Sequence, residues 1–260
     1  MDIGLSGKRV LVTGGNSGLG AAMVRAFAAA GSRVAINYVA GPEEAHAIAR
    51  AVQEEEGDAL VIQGDVSDPD AVENMFGHLD STWGGVDVLV NNAGIDGPRG
   101  LAWETDVAAW RRVLDVNVVG AFLCARQALH RMVKQRAGVI LNTSSVHEVI
   151  PWSGYSAYAA SKAALSMLAR TLAQEAGPHG VRVLCIAPGA VQTPINARVW
   201  QNPEGLRDLI RKIPLGRMGQ PADIAAMAVI LASDVAAYMT GTTVFVDGGM
   251  TDYADFMHGG

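Results

Sequence analysis

The sequence predicts one α/β domain: a doubly wound parallel sheet of seven strands, flanked by helices on both faces. Three observations carry this. Short β-branched runs alternate with long alanine-rich stretches along all 260 residues. Most of the runs are continuously apolar, as strands covered on both faces are, rather than alternating. Between them lie stretches long enough for crossover helices, which is the pattern of βαβ units.

Strands are predicted over residues 9–13 (RVLVT), 33–37 (RVAIN), 59–63 (ALVIQ), 86–91 (VDVLVN), 139–143 (VILNT), 181–187 (VRVLCIA) and 243–246 (TVFV). Helices are predicted over 19–30, 42–56, 70–83, 108–135, 155–176 and 222–233. Pro42 and Pro221 sit where a first-turn proline belongs, and Gly31, Gly57 and Gly177 follow predicted helix ends. No solenoid repeat, low-complexity tract or Pro/Ser-rich linker divides the chain, so residues 1–260 read as one domain. The irregular segments are 95–106, 189–215 and the tail 248–260. The first two follow predicted strands. Ligands of open α/β sheets bind beyond the carboxyl ends of the strands, so these loops are expected to wall a substrate site.

Composition excludes several functions. Half of the residues are hydrophobic and 18% are charged, which excludes a disordered chain. Twenty basic against 26 acidic residues give a net charge of −6, against a general nucleic-acid or anionic-membrane binder. The two cysteines, Cys124 and Cys185, lie in apolar runs and read as buried thiols. No CxxC or Cys/His cluster suggests a metal. No signal-peptide core or membrane-length apolar run is present, so a soluble cytoplasmic protein is expected.

Two features point to chemistry. Thr13-Gly14-Gly15-Asn16-Ser17-Gly18-Leu19-Gly20 follows the first strand and opens the first helix. There, glycines permit a tight turn, close approach of the backbone to a pyrophosphate, and close helix–strand packing. The helix N-terminus adds free N–H groups and a positive dipole end. The fold is then Rossmann-like and the expected ligand a dinucleotide. The bland alternative is a glycine turn with no ligand.

Tyr158 and Lys162 stand four residues apart on a predicted helix, hence on one face. An ammonium there is expected to lower the phenol's pKa, and a tyrosine poised nearer working pH can exchange a proton with an alcohol. Taken alone, the pair could be an ordinary exposed one. Tyr155 competes as the base but has Ala159 where a lysine is needed. Ser145 lies at the end of the fifth strand, thirteen residues before Tyr158, and can meet it at the top of the sheet to bond a reacting oxygen. No G-x-S-x-G elbow surrounds it, so it is no hydrolase nucleophile.

The spacing T-G-x-x-x-G-x-G resembles the short-chain dehydrogenase/reductase family, and further motifs follow in order from Gly7 to Gly249. The resemblance implies that Asn117, Ser145, Tyr158 and Lys162 are catalytic, Asn117 by kinking its helix and anchoring a water that leads to the lysine. It implies cofactor contacts from Gly14, Asn16, Ser17, Gly18, Leu19, Gly20, Asn37, Asp65, Val66, Asn92, Ala93, Gly94, Tyr158, Lys162, Pro188, Gly189, Val191 and Thr193. Asp247-Gly248-Gly249 matches the family's C-terminal turn. The resemblance also implies a homotetramer, with helices 108–135 and 155–176 as candidate interfaces.

Within the family, Ser144-Ser145-Val146-His147-Glu148, Ile150-Pro151-Trp152, Pro194-Ile195-Asn196, Asp247-Gly248-Gly249-Met250-Thr251 and the tail Phe256-Met257-His258-Gly259-Gly260 look like the glucose 1-dehydrogenases of bacilli. The implied reaction is NAD(P)-dependent oxidation of an aldose at C1 to the lactone. Asp96, Ser145, His147 and Asn196 are the expected substrate contacts, with His147 as a wall hydrogen bonder. Asp96 replaces a glutamate of those enzymes. Arg99 and Arg198 follow the two pocket segments. They are either solvated loop residues or partners for an anion on C6, as in glucose 6-phosphate, glucuronate or sulfoquinovose. Asn37, at the end of the second strand, is neutral. Residues 38–41 and the glycine turn carry no cation, and Val39 stands where the bacillar enzymes have arginine. NAD is therefore expected over NADP. Other readings are a reductase or dehydrogenase of a 3-oxoacyl thioester or steroid, and a non-catalytic cofactor-binding scaffold.

Overall fold

The computed structural model describes residues 3–252. Seven parallel strands form one sheet in the order β3-β2-β1-β4-β5-β6-β7. They are β1 (Arg9–Val12), β2 (Arg33–Tyr38), β3 (Ala59–Gln63), β4 (Val88–Asn91), β5 (Gly138–Thr143), β6 (Val181–Pro188) and β7 (Thr243–Val246). Helices α1 (Gly18–Ala29), α2 (Pro42–Glu54), α3 (Pro69–Trp83), α4 (Val107–Leu114), α5 (Ala121–Gln135), α6 (Ser156–Ala176), α7 (Ala197–Trp200), α8 (Pro203–Ile210) and α9 (Pro221–Ala232) connect them.

Alternation along each strand builds two cores. Val10, Val12, Val88 and Val90 face one core with Phe27 of α1, Ile48 of α2 and Leu231 of α9. Leu11, Leu89 and Ile140 face the other with Phe76 of α3, Met132 of α5 and Leu172 of α6. Burial on both sides is why the strands read as unbroken apolar runs. The order reverses between β1 and β4, which opens a crevice at their carboxyl ends.

Several sequence expectations need correction. The long helix expected over 108–135 divides into α4 and α5 at a π-helical turn, Asp115–Gly120, which holds Asn117, where the resemblance implies a kink. The segment 189–215 is not wholly irregular, because it carries α7 and α8. The signal for α8 was present: Pro203 occupies the first turn, and the Asn202 side chain accepts from the N–H groups of Glu204 and Gly205. Gly57 does not cap α2, since Glu56 takes the left-handed conformation (φ 64°). Gly177 continues into a 3₁₀ turn, and Gly180 (φ 75°) makes the reversal. Among the described residues no helix is long and apolar enough to cross a membrane. The tail segment 256–260, which the resemblance covers, lies outside the described residues.

Candidate active site

The glycine turn fits a dinucleotide for reasons visible in its contacts. Gly14 (φ 59°) and Gly18 (φ 49°) adopt the left-handed conformation. A Cβ on Gly20 would lie 2.1 Å from the Gly14 carbonyl oxygen and 2.6 Å from Asn92 Nδ2. Asn92 locks the turn to β4 by donating to the carbonyls of Thr13 (3.0 Å) and Gly14 (3.1 Å). Thr13 Oγ1 accepts from the N–H groups of Asn92 (2.9 Å) and Ala93 (3.0 Å). Ser17, at the N-cap of α1, makes no side-chain cap. The first-turn N–H groups therefore stay available to an anion.

A cavity of about 570 Å³ runs from this turn across the ends of β4, β5 and β6. Gly14, Ser17, Gly18, Leu19, Asn92, Ala93 and Gly94 line one end; Pro188, Gly189, Val191 and Thr193 line the facing loop. Asn16, Gly20, Asn37, Asp65 and Val66 are not in its wall. Asn16 donates to the carbonyls of Ala40 (2.8 Å) and Gly41 (3.2 Å). Asp65 accepts from Ser67 and pairs with Arg112 at 2.8 Å. Val66 packs under Gly120, where a Cβ would meet it at 2.8 Å.

Asn37 requires correction as a ribose-facing residue. Its side chain is buried. Oδ1 accepts from Gly14 N–H (3.3 Å), and Nδ2 donates to the carbonyls of Ile62 (3.4 Å) and Gly64 (3.0 Å). β2 continues one residue beyond it.

At the cavity floor, β5 and α6 bring Ser145, Tyr158 and Lys162 together. The Tyr158 hydroxyl is hydrogen-bonded to Ser145. Lys162 Nζ is buried 5.4 Å from the centre of the Tyr158 ring and donates to the Thr143 carbonyl at 2.8 Å. Burial pushes the Tyr158 phenol up, with the Asp96 charge acting the same way and the Ser145 hydrogen bond opposing both. Burial also pushes Lys162 down to about 8, opposed by Cys185 and Glu148. The expected depression of the phenol by the lysine is therefore not what governs this site. The ammonium is directed at a carbonyl, and burial dominates both groups.

Asn117 lies in the π-helical turn. Its side chain accepts from Ile95 N–H (2.8 Å) and donates to Ile95 O (2.8 Å) and Ser161 Oγ (3.0 Å). It ties the loop after β4 to α6 and is not in the cavity wall.

The substrate-side residues divide. Asp96 and His147 line the cavity. Burial holds His147 below its ordinary value against the pull of the Ile150 carbonyl, 3.0 Å from Nδ1. With Nδ1–H donating there, Nε2 is left as an acceptor. Asn196 also lines the cavity, but its amide is occupied: Oδ1 accepts from Thr193 N–H and Oγ, and Nδ2 donates to Val191 O. Arg99 and Arg198 are not in the cavity wall; Arg99 packs against Gly154 instead. Besides Lys162, the cation in the wall among the described residues is Lys212, just beyond α8, which sequence reading missed because nothing in its spacing marks it. Trp152, stacked on His147 (4.3 Å) and Tyr155 (4.0 Å), forms an aromatic wall beside Tyr158. Tyr155 is thus a packing partner.

The family model described as enoyl-(acyl carrier protein) reductase matches residues 14–251. 3β-Hydroxysteroid dehydrogenase 1 of Eggerthella lenta is 48% identical over 259 residues, covering 98% of each chain. Glucose 1-dehydrogenase 2 of Bacillus subtilis is 37% identical over 250 residues, covering 96% of each. The chain belongs to the short-chain dehydrogenase/reductase family. Among solved members, a gluconate 5-dehydrogenase from Burkholderia cenocepacia in complex with NADP and tartrate superposes with a TM-score of 0.92. It is 30% identical, over 97% of this chain and 98% of that one.

As a short-chain dehydrogenase, the protein is an oxidoreductase acting on CH–OH groups. The cradle around Gly14, Gly18 and Gly20 suits the family's nicotinamide dinucleotide, since a side chain at Gly20 would collide with the turn. Beyond Lys212, the residues that sequence reading missed are Thr13, which orders the turn, and Glu148, which lies behind the lysine. Both stand inside quoted motifs, Thr13 at the head of the glycine turn and Glu148 at the end of Ser144–Glu148, and only their contacts reveal their roles.

Proposed function

We propose that this dehydrogenase oxidises an aldose at C1 to the lactone, the substrate being glucose or a glucose carrying an anion at C6. The observation that carries this reading is the Asp96 carboxylate in the cavity wall, close enough to act on Tyr158. An apolar skeleton filling the cavity would strip water from that carboxylate and return no hydrogen bond, which is costly. The vicinal hydroxyls of a pyranose would donate to it.

In its phenolate form Tyr158 takes the proton of the C1 hydroxyl and becomes the phenol, and Ser145 holds the same oxygen by a hydrogen bond. His147 Nε2 accepts from a neighbouring hydroxyl, and the Trp152 wall covers a ring face. The dinucleotide, when bound, supplies a nicotinamide carbon that accepts the C1 hydride. The residues that would hold it are Gly14, Ser17, Gly18, Leu19, Asn92–Gly94, Lys162 and the loop from Pro188 to Thr193. NAD is favoured over NADP because Val39, 62% exposed, offers no cation to a 2′-phosphate. The protein works as a homotetramer in the cytoplasm, as one domain.

The anionic form of the substrate rests on Lys212, with Arg99 and Arg198 set aside. Besides Lys162, which is engaged by Thr143, it is the cation in the cavity wall among the described residues. It pairs with Asp208 at 3.7 Å.

A second reading, oxidation of a 3β-hydroxysteroid, is favoured by the apolar share of the wall: Ile95, Val146, Ile150, Ile195, Val199 and Leu209. Initial rates of NADH and NADPH formation with glucose, glucose 6-phosphate, glucuronate, sulfoquinovose and a 3β-hydroxysteroid separate the two. Turnover of a sugar with NAD, and none of the steroid, is expected. Turnover of the steroid alone would overturn the aldose reading. Lys212→Ala should cut kcat/KM for the C6-anionic sugar about tenfold, about the worth of one charge-assisted hydrogen bond, and leave glucose unchanged.

A further inference from the structure

Glu148 lies outside the cavity wall and has no part in the reaction as described above. It ends the 3₁₀ turn Val146–Glu148 after β5, and its carboxylate reaches back beneath α6. One oxygen accepts from Ser144 Oγ at 2.5 Å, the other from Ser166 Oγ at 3.1 Å. Both serines are buried. Ser144 sits between Thr143, whose carbonyl receives the Lys162 ammonium, and Ser145, which is bonded to Tyr158. Ser166 stands one turn beyond Lys162 on α6. A single side chain therefore joins the strand end that holds the lysine to the helix that carries it.

We propose that Glu148 is a positioning residue: it clamps the Thr143–Ser145 segment to α6 and supplies the negative charge that keeps Lys162 an ammonium behind Tyr158. The inference rests on the roles given to Tyr158 and Lys162. The need for such a charge follows from burial, which pushes Lys162 down to about 8. The titratable groups facing the lysine are Tyr158 on α6, Cys185 on β6 and Glu148. Burial pushes the Cys185 thiol up to about 12, so it stays neutral, and Arg170 of α6 faces it. Glu148 is then the carboxylate available to oppose the loss of charge. Without it the ammonium would be lost at lower pH, and the activity that depends on it would fall off sooner on the alkaline side.

The test is the pH profile of kcat/KM for Glu148→Gln, Glu148→Asp and Ser144→Ala, with the fastest of glucose, glucose 6-phosphate and a 3β-hydroxysteroid as probe. Glu148→Gln is expected to move the alkaline limb down by about one pH unit and to lower kcat about tenfold at the wild-type optimum, with substrate KM nearly unchanged. Glu148→Asp keeps the charge and should restore the limb. Should Glu148→Gln yield no folded protein, Ser144→Ala decides. It frees the carboxylate from its shortest bond and should lower kcat about threefold without raising KM. A wild-type limb and kcat in the folded variants would overturn the proposal. So would an equal loss at every pH in Glu148→Gln, because that marks a purely structural role. Tyr158→Phe is run alongside. If it stays active, the Tyr158 and Lys162 roles fail; if it is inactive while Glu148→Gln behaves as wild type, only the Glu148 inference fails.

Discussion

The two ends of the sheet treat their ionisable groups in opposite ways. At the amino end, Arg9 of β1 meets Asp87, just before β4, through two side-chain bonds of 2.6 and 2.8 Å. The Arg9 backbone N–H adds a third bond to the same carboxylate, and Gln135 and the Trp83 carbonyl accept two more guanidinium N–H bonds. Arg9 is pushed up, chiefly by its bond to Asp87. For Asp87, burial acts upward, but the Arg9 hydrogen bonds and charge outweigh it and hold the carboxyl low. Each partner is held in its charged form. At the carboxyl end, burial pushes Tyr158 up and Lys162 down, each toward its neutral form. One end is satisfied and inert. The other holds titratable groups off their ordinary values around a cavity, as functional sites do.

Removing the base at the carboxyl end should have the largest effect. Tyr158→Phe is expected to cut kcat by about 10²- to 10⁴-fold, the range for a positioned general base. Melting temperature and dinucleotide affinity, from a thermal scan and a fluorescence titration, should barely move, since the ring and its wall remain. An enzyme within tenfold of wild type would remove Tyr158 from the reaction.

At the amino end the reverse is expected. Asp87→Asn leaves Arg9 without its charged partner. It should cost about 2 kcal/mol of stability, the scale of a hydrogen-bonded charge pair, with kcat unchanged at 25 °C. The pH dependence has a definite sign. The folded Asp87 pKa lies below the unfolded one. Its contribution is therefore complete above the ordinary carboxylate value of about 4 and is lost as pH falls through the folded value. Denaturant melts at pH 6 and pH 3 should show the gap between wild type and variant narrowing at the lower pH. A gap that widens would show that the pair does not act this way.

This contrast also explains what the sequence disclosed. The sheet was legible because strands buried on both faces leave uninterrupted apolar runs, and the glycine turn because Gly20 has no room for a Cβ. Tyr158, Lys162 and Ser145 were legible because their spacing is set by one helix and one strand end. The break at Asp115–Gly120 was legible only through the kink that the family resemblance implies at Asn117, since a π-helical turn leaves the helical pattern of Val116 and Cys124 intact. Lys212 and Glu148 were not legible, because their roles depend on which loop meets which. Arg99 and Arg198 were named for their charge and their neighbours in the chain. In the fold, the Arg99 side chain packs against Gly154, and neither arginine is in the cavity wall.

The smallest effect concerns the cofactor end of the same edge. If Asn37 read the adenosine ribose, Asn37→Asp would sharpen selection of NAD over NADP. Its amide instead bonds the Gly14 N–H and donates to Ile62 and Gly64 within a buried frame. Aspartate keeps the acceptor but loses both donations, and it leaves a buried charge facing two carbonyl oxygens. The glycine turn then loosens for either dinucleotide. KM for NAD and NADP should rise together, by about three- to tenfold for one or two neutral hydrogen bonds, with their ratio constant within about twofold. Parallel initial-rate titrations with the two dinucleotides measure this directly. A selective loss of NADP would return Asn37 to the ribose, whereas a parallel loss makes it part of the frame that sets the turn.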